Sequence, residues 1–498
     1  MSAGGLESSN EGRVKAIDGP TFGRSDVRPI DLVFRTVGER TSDLALELAI
    51  QHIQPRRIHV LKNIKPFSRA VARMLELDHG DATHVVHMDA DCLILEDLRP
   101  FLEHNDLPYV DCYVHDRFRG RIHCGVHITR IDVVNRMRSV PVPEDDMAYV
   151  LRPESRLRNL ALNDLSAEKQ LKGFRILHDH FQHLSDIFAK YALRELRSRT
   201  EFQKARLDAS MARWGEGTDY EVARAAADHA ARTVPEGAKP KHVEAYIRNL
   251  PFIAEEQIRK QGLNDQPALT LHEVKETMSN DPSLAPRGGP TKVFGLGLSR
   301  TGTRSLTAAL HVLGFDTVHY PTDAPSFEAM TRGDGAFPLL DHYDGLTDIT
   351  TIPFLAELDA RYPGSKFVLT IRDEAPWLQS CANHWDGRTV FATSESAEPT
   401  AIEEHRIHME IRRFLRAAVY GCYDYSPERF ARVRADHHAA VLRYFARREQ
   451  DLLVVDLTAG SGWTELAPFL GQPIPDQPFP HKGRALSEKL AASQDPDD

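Results

Sequence analysis

The sequence predicts an α/β protein of two domains that are joined by a helical segment. Strand-like apolar runs alternate with amphipathic stretches between residues 31 and 138, a charged helical pattern fills residues 165–280, and a new strand–turn–helix unit begins at Val293. Alternation of strands and helices is typical of a mainly parallel sheet covered by helices. The length of 498 residues also exceeds that of one domain.

Composition restricts the class of protein. Apolar residues make up 41% of the chain and charged residues 27%, which is typical of a globular protein with a large core. The formal charge of −10 argues against nucleic acid as the main partner, and no apolar run reaches the 18 residues of a membrane span. Five scattered cysteines without a C-x-x-C motif, and a start unlike a signal peptide, predict reduced thiols and a cytoplasmic location. The oligomeric state stays open.

Changes in pattern along the chain predict the boundaries. In the first domain we expect strands at 31–35, 57–61, 84–88, 109–114 and 122–129, and helices at 42–53, 66–78, 97–103 and 131–138. Residues 281–290 are rich in proline and glycine and predict a linker. The expected segments are a flexible tail (1–28), a first α/β domain (29–195), a helical bridge (196–280), the linker (281–290), a second α/β domain (291–484) and an acidic tail (485–498).

The segment from Val293 to Leu310 has the pattern of a phosphate-binding loop. An apolar strand leads into a glycine-rich turn with a basic residue and hydroxyls, and then into a helix rich in alanine and leucine. Backbone amides of such a turn and the helix dipole favour an anion. The expected ligands of the phosphate are Gly297, Ser299, Arg300, Thr301, Gly302, Thr303, Arg304 and Ser305.

This loop meets only half of the Walker pattern. Gly297 and Gly302 have the required spacing, but Thr303 stands in the position of the Walker lysine, and the basic residue is Arg300 inside the loop. The missing lysine argues against a kinase or another enzyme of nucleoside triphosphates.

A second segment predicts another phosphate contact. Residues 366–373 form an apolar strand that ends in Arg372 and Asp373, and residues 374–380 continue as a helix that contains Trp377 and Ser380. Trp377 is interpreted as a core residue or a wall for a nucleotide base. Arg372 and Ser380 are eight residues apart and suit a single phosphate group.

These two segments resemble the nucleotide-binding segments of sulfotransferases. Residues 343–348, the strand at 452–456, and the stretches 469–476 and 478–480 fit the same family, so that the resemblance covers about residues 291–484. It implies that the donor is 3′-phosphoadenosine-5′-phosphosulfate and that the acceptor is a hydroxyl or an amine of a small molecule or a glycan. It also implies that Arg300 replaces the usual lysine beside the 5′-phosphosulfate and that Arg372 and Ser380 bind the 3′-phosphate.

A proton acceptor is expected near the acceptor group, and the sequence offers several. Asp348 is preferred because the resembling family has an acidic residue at this place. His342 is the alternative because the ordinary pKa of histidine lies near neutrality. Asp341, Asp344 and His319 are further candidates. The expected catalytic set is therefore Asp348 or His342 with Arg300.

The first domain carries a D-x-D motif at the end of an apolar strand. Two acids spaced i, i+2, here Asp89 and Asp91, can face one divalent cation that also binds diphosphate oxygens. The motif and its surroundings resemble glycosyltransferases of the glycosyltransferase-A fold. The resemblance implies a nucleotide sugar, Mn²⁺ or Mg²⁺, and a late histidine in the metal shell, for which His178 is favoured over His180.

The sequence therefore predicts a sulfotransferase domain joined to a glycosyltransferase-A-like domain, which together would form a bifunctional transferase. One alternative is a sulfotransferase with an inactive N-terminal domain that binds only the acceptor. The other alternative is a non-catalytic nucleotide-binding scaffold.

Overall fold

The computed structural model describes residues 13–19, 27–264, 266–267, 269–280, 291–385, 399–460 and 462–481. The predicted linker at 281–290 and the predicted tail at 485–498 lie outside the described residues, as do residues 1–12 and 20–26 of the predicted N-terminal tail.

A curled eight-stranded sheet forms the N-terminal unit, by which we mean residues 13–196. Its strands are β1 (Arg13–Asp18), β2 (Ile30–Thr36), β3 (Arg57–Lys62), β4 (His84–Asp89), β5 (Cys92–Ile94), β6 (Tyr109–Asp116), β7 (Gly120–Arg130) and β8 (Gln170–His178). Their spatial order is β1-β3-β2-β4-β7-β6-β8-β5. The edge strand β1 lies within the segment that the sequence suggested was a tail, and it pairs antiparallel with β3.

This first sheet is mixed, so the expectation of a mainly parallel sheet is wrong for it. The pairs β2–β3, β2–β4 and β6–β8 are parallel, whereas β4–β7, β6–β7 and β5–β8 are antiparallel. A turn of three residues, 117–119, joins β6 and β7 into an antiparallel hairpin. The first residue after this turn is Gly120, whose φ is +73°. A left-handed backbone at this position suits glycine.

Helices cover both faces of this sheet. They are α1 (Ser42–Ile53), α2 (Phe67–Leu75), α3 (Arg99–His104), α4 (Ile131–Ser139), α5 (Met147–Leu151), α6 (Pro153–Asp164) and α7 (Leu184–Leu196). The central strand β2 is buried along its whole length, as expected for a strand with helices on both sides.

The next four helices pack on the N-terminal unit. They are α8 (Glu201–Ala212), α9 (Thr218–Thr233), α10 (Pro240–Lys260) and α11 (Leu271–Asn280). The small residues Ala223, Ala226 and Ala230 of α9 are buried in one apolar cluster with Phe188 of α7. Trp214 belongs to the same cluster, and its indole N–H donates to the Phe118 carbonyl in the β6–β7 turn at 2.7 Å. This segment therefore does not space the two units apart.

The C-terminal unit, residues 291–481, is built on short parallel strands. They are β9 (Val293–Gly295), β10 (Thr317–His319), β11 (Gly345–Thr347), β12 (Lys366–Thr370) and β13 (Leu452–Val455). Its helices are α12 (Thr303–Leu313), α13 (Ala324–Arg332), α14 (Leu355–Arg361), α15 (Glu374–Trp385), α16 (Pro399–Leu415), α17 (Pro427–Tyr444) and α18 (Trp463–Phe469). Short 3₁₀ turns at Pro338–Asp341, Ile349–Phe354 and Glu449–Asp451 and a π turn at Arg416–Tyr420 complete it.

All five strands run in the same direction. The pairs β10–β11, β12–β13 and β12–β9 are parallel. The Val293 N–H donates to the Asp344 carbonyl at 2.8 Å, and Gly295 lies against Thr347, so that β11 runs beside β9 in the same sense. The carboxyl ends of the strands consequently share one edge, which is where open α/β sheets bind ligands.

The two units share a core and a buried ionic contact. Phe101 of α3 and Tyr343 belong to one apolar cluster, with ring centroids 6.1 Å apart. Asp316 receives Arg121 Nη2 at 2.8 Å and Lys172 Nζ at 3.3 Å, both from the N-terminal unit. Burial opposes ionisation of Asp316, but these two cations hold its pKa well below the usual range. The apolar interior is therefore continuous across the two units, which contact each other directly.

Among the described residues, no helix has the length and the apolar composition that crossing a membrane requires. All five cysteines are unpaired.

The substitution Asp316→Ala is expected to weaken the contact between the units. It leaves Arg121 and Lys172 without their shared acid in a largely buried place, so the free energy of unfolding should fall by about 3–5 kcal/mol. Urea denaturation followed by tryptophan fluorescence measures the loss. Asp334→Ala, which removes the exposed partner of Arg332, is the matched control and should change stability much less. Equal losses in the two variants would contradict a stabilising role for the buried contact.

Candidate active site

The loop after β9 has the geometry of an anion cradle. Arg300 and Gly302 both have left-handed backbone, with φ of +73° and +97°. The helix α12 then begins at Thr303, so its first amides and the positive end of its dipole face the loop. Left-handed backbone at a residue such as Arg300 costs energy and is common at ligand sites.

Neighbouring strands and helices hold this loop in place. Thr301 Oγ1 donates to the Leu298 carbonyl at 2.7 Å and lies 2.7 Å from Thr370 Oγ1 at the end of β12. The indole N–H of the buried Trp377 donates to the Ser299 carbonyl at 2.9 Å. Trp377 is therefore a core residue that supports the loop.

Gly297 is required where β12 passes the loop. A Cβ atom at this position would lie 1.8 Å from Thr370 Oγ1. The close approach of the two segments explains the glycine on packing grounds alone.

The structure brings the two expected phosphate segments together. Arg300 Nε donates to Ser380 Oγ at 3.0 Å, and Arg372 Nη1 donates to the Arg300 carbonyl at 3.3 Å. Burial lowers the pKa of Arg300, and the nearby guanidinium of Arg304, and more weakly that of Arg372, add to this effect. Arg300, Arg304 and Arg372 thus concentrate positive charge, as a site for phosphate or sulfate requires.

His319 and Asp348 lie at the neighbouring strand ends and face the first turn of α12. Thr303 Oγ1 is 3.2 Å from His319 Nε2 and donates to Asp348 Oδ1 at 3.3 Å. His319 Nε2 is 3.9 Å from Asp348 Oδ2. Burial raises the pKa of Asp348, whose φ of +77° is unusual for a residue other than glycine.

Glu168 of the N-terminal unit also reaches this edge. Its carboxylate accepts from Arg304 Nη2 at 2.6 Å and lies 3.4 Å from His319 Nδ1. Sequence reasoning missed Glu168 because it lies more than 100 residues before the cradle, in the other unit, and outside every motif. The sequence offers His319 only as a further candidate for the proton acceptor.

His342 is not brought to the cradle. It precedes β11 and therefore lies at the amino ends of the parallel strands, the edge opposite to the cradle. There its ring stacks on His104 with centroids 5.6 Å apart and contacts Phe101 edge-on at 5.9 Å. Asp344, which also precedes β11, accepts from the Asp316 N–H at 2.8 Å. These contacts place both side chains in the packing between the units.

The D-x-D acids already have cationic partners within the protein. Arg35 lies beside Asp89 in the β2–β4 register, donates to its carboxylate at 2.8 Å and also binds Glu154 at 2.6 Å. Lys190 of α7 donates to Asp91 at 2.6 Å and to Asp179 at 2.5 Å.

The third expected metal ligand, His178, is close to one of these acids. Its Nε2 lies 3.6 Å from Asp91 Oδ2, and its Nδ1 lies 2.8 Å from Asp116 Oδ2. Burial raises the pKa of Asp89 to about 6 in spite of Arg35, whereas Lys190 and His178 hold that of Asp91 low against burial. Asp91 and His178, together with Cys92, have ligand atoms close enough to share one ion. An ion there would compete with Lys190 for Asp91, and Asp89 is already paired with Arg35. The metal site at Asp89, Asp91 and His178 stays a prediction.

Comparison with known proteins finds a family match in the C-terminal unit. Residues 292–486 match the family model of the sulfotransferase domain, a region that contains the cradle, Arg372, His319 and Asp348. Ava biosynthesis cluster protein M of Aspergillus versicolor is 27% identical over 219 residues, which is 38% of this chain and 80% of that protein. Sulfuryl transfer, and thus a transferase activity, is the general function that the family match supports.

The N-terminal unit lies outside that match. One solved structure, the apo form of the glycosyltransferase GlyE of Streptococcus pneumoniae TIGR4, aligns over 78% of this chain and 99% of its own. The identity is 11% and the TM-score is 0.17, a likeness too weak to carry an argument about fold or activity.

Titration with Mn²⁺ tests whether the D-x-D acids hold a metal. Since Lys190 and Arg35 already neutralise them, we expect no saturable binding by calorimetry and no change in the melting temperature. In Lys190→Ala, Asp91 and Asp179 lose this shared cation, so stability should fall by about 3 kcal/mol and Mn²⁺ should restore part of it. The exposed Lys241→Ala is the control. Saturable binding to the unaltered protein that is lost in Asp91→Asn would contradict this view.

Proposed function

We propose that the protein transfers a sulfuryl group from 3′-phosphoadenosine-5′-phosphosulfate to a hydroxyl or amine of a small-molecule or glycan acceptor. The observation that carries the proposal is the contact between Arg300 and Ser380, supported by Arg372. It joins a cradle for one phosphate to a second site, which is formed by Arg372 just before α15 and Ser380 within α15. A nucleotide with phosphates at both 5′ and 3′ positions needs such a pair of anchors, whereas ATP does not.

The proposed roles at the donor follow from charge and position. The amides of the first turn of α12, with Gly297, Ser299, Thr301, Gly302, Thr303 and Ser305 around them, would hold the 5′ end. Arg300 would lie along the bridging oxygen, where a guanidinium can make two parallel hydrogen bonds in place of the single contact of a lysine. Arg372 and Ser380 would bind the 3′-phosphate.

The donor supplies the sulfuryl group: the bond from sulfur to the 5′-phosphate oxygen breaks as the acceptor atom bonds to sulfur, and the bisphosphate leaves with the electron pair. Arg300 and Arg304 stabilise the charge that develops on the leaving oxygen.

We assign the acceptor's proton to His319 Nε2. Asp348, 3.9 Å from this nitrogen, stabilises the imidazolium that results. The sequence preferred Asp348 or His342 for this role. His319 is chosen because its Nε2 faces Thr303 at the cradle, whereas His342 lies at the opposite edge of the sheet.

Glycosyl transfer from a nucleotide sugar is the second activity that the D-x-D motif suggests. Asp89 is already paired with Arg35 and Asp91 with Lys190, which argues against this second activity. We therefore limit the proposed activity to sulfuryl transfer and regard the N-terminal unit as a part of the sulfuryl-transfer enzyme that need not catalyse glycosyl transfer.

Calorimetric titration with 3′-phosphoadenosine-5′-phosphate tests the donor site. We expect binding that is much tighter than that of ADP or ATP, and a loss of about 10- to 100-fold in Arg372→Ala because a charged hydrogen bond to the 3′-phosphate is removed. The exposed Arg443→Ala is the matched control and should bind as the unaltered protein does. Equal affinity for the bisphosphate and ADP would contradict the proposal.

The substitution His319→Gln tests the proton acceptor. Turnover of the phosphosulfate donor with 4-nitrophenol or water as acceptor should fall by about 100-fold or more, while affinity for the bisphosphate stays unchanged. His242→Gln, at an exposed position of α10, is the control. The assignment fails if Asp348→Asn or His342→Gln abolishes turnover and His319→Gln does not.

A further inference from the structure

A connection in the N-terminal unit places one acid at the edge of the C-terminal unit. Glu168 lies between α6 and β8, and the two residues that follow it are anchored. Lys169 Nζ contacts Asp111 Oδ2 at 3.5 Å, and Gln170 Nε2 donates to the His319 carbonyl at 3.2 Å. The Gln170 contact fixes the connection directly against the strand end that carries the His319 ring.

The Glu168 carboxylate then contacts two side chains of the proposed transfer site. One oxygen accepts from Arg304 at 2.6 Å, and the other lies 3.4 Å from His319 Nδ1. Arg304 and His319 hold the pKa of Glu168 at about 2 although burial works to raise it, so the group is an anion at neutral pH. An anion beside Nδ1 favours a proton on that nitrogen.

The opposite nitrogen of the same ring faces the cradle. His319 Nε2 lies 3.2 Å from Thr303 Oγ1 and 3.9 Å from Asp348 Oδ2. When the proton is on Nδ1, Nε2 presents its lone pair, because a neutral imidazole carries only one of the two protons. In that tautomer the Thr303 hydroxyl donates its single proton to Nε2 in place of Asp348. A carboxylate on the far side of a histidine base also stabilises the imidazolium formed when the base takes a proton.

From this geometry we propose that Glu168 is a positioning residue that sets the tautomer and orientation of His319, so that the N-terminal unit completes the sulfuryl-transfer site. This inference rests on the proposed function for its catalytic consequence. The relation between Glu168 and His319 can be measured separately.

Solvent screens the ion pair between Glu168 and Arg304. The side chain of Arg304 is 50% exposed and that of Glu168 is 27% exposed, so loss of this pair should destabilise the fold less than loss of the buried Asp316 contact. Removing the Glu168 carboxylate is therefore expected to leave the fold intact while it changes the state of His319.

The first test reads the tautomer directly. Nitrogen NMR of protein labelled with ¹⁵N-histidine identifies the His319 ring as the signals that vanish in His319→Gln. We expect the Nδ1–H form in the unaltered protein and a shift toward Nε2–H in Glu168→Ala. Glu328→Gln, an exposed acid on α13, is the matched control and should leave the signals unchanged. An unchanged tautomer in Glu168→Ala would overturn the inference whatever the kinetics show.

The second test is a double-mutant cycle on donor turnover. Glu168→Gln should lower kcat by about 10- to 100-fold. In the His319→Gln background the same change should alter kcat much less, and what remains is the part that acts through Arg304. Fully additive effects would overturn the inference.

The two failures can be told apart. If the protein does not prefer the bisphosphate over ADP, the proposed function fails, and the tautomer measurement still decides the relation between Glu168 and His319. If the bisphosphate binds tightly and the His319 tautomer is the same in Glu168→Ala as in the unaltered protein, only the positioning role fails.

Discussion

The parallel direction of five short strands is the constraint on which the site depends. Because β9, β10, β11 and β12 all run the same way, the groups that follow them meet at one edge of the sheet. The cradle, His319, Asp348 and Arg372 are separated by up to about 70 residues in sequence and are nevertheless brought together there. Groups that precede the strands, such as His342, are placed at the opposite edge for the same reason.

Because the two units contact each other, residues of both units form this edge of the sheet. The shared apolar cluster and the buried Asp316 fix the N-terminal unit against the C-terminal unit. Gly173 contributes because a Cβ at this position would lie 2.2 Å from the Arg121 guanidinium and 2.8 Å from Asp316. A rigid contact of this kind is what allows Glu168 to hold a fixed relation to His319. The N-terminal unit then has a function at the transfer site even if its D-x-D acids bind no metal.

The sequence predicted the parts of the site that depend on local pattern. The strand, the glycine-rich turn and the helix of the cradle are contiguous, and so are the strand end at Arg372 and the helix that carries Ser380. It could not predict what depends on contacts distant in sequence. The position of His342 at the opposite edge depends on where β11 begins, and the contact of Glu168 with His319 depends on how the two units pack together. The D-x-D motif is visible in the sequence. Its partners Arg35 and Lys190 are distant from it in sequence, so no local pattern indicates that they pair with the two acids. The hairpin of β6 and β7 likewise made the first sheet mixed where alternation suggested a parallel one.

A crystal structure with 3′-phosphoadenosine-5′-phosphate bound would show whether the N-terminal unit completes a sulfuryl-transfer site in the C-terminal unit. The account predicts the 5′-phosphate against Arg300 and the amides of α12, the 3′-phosphate on Arg372 and Ser380, and the Glu168 carboxylate on His319 Nδ1 with Nε2 facing the open side of the 5′-phosphate. A nucleotide bound elsewhere, or a His319 ring that turns away from both Glu168 and the 5′-phosphate, would contradict it.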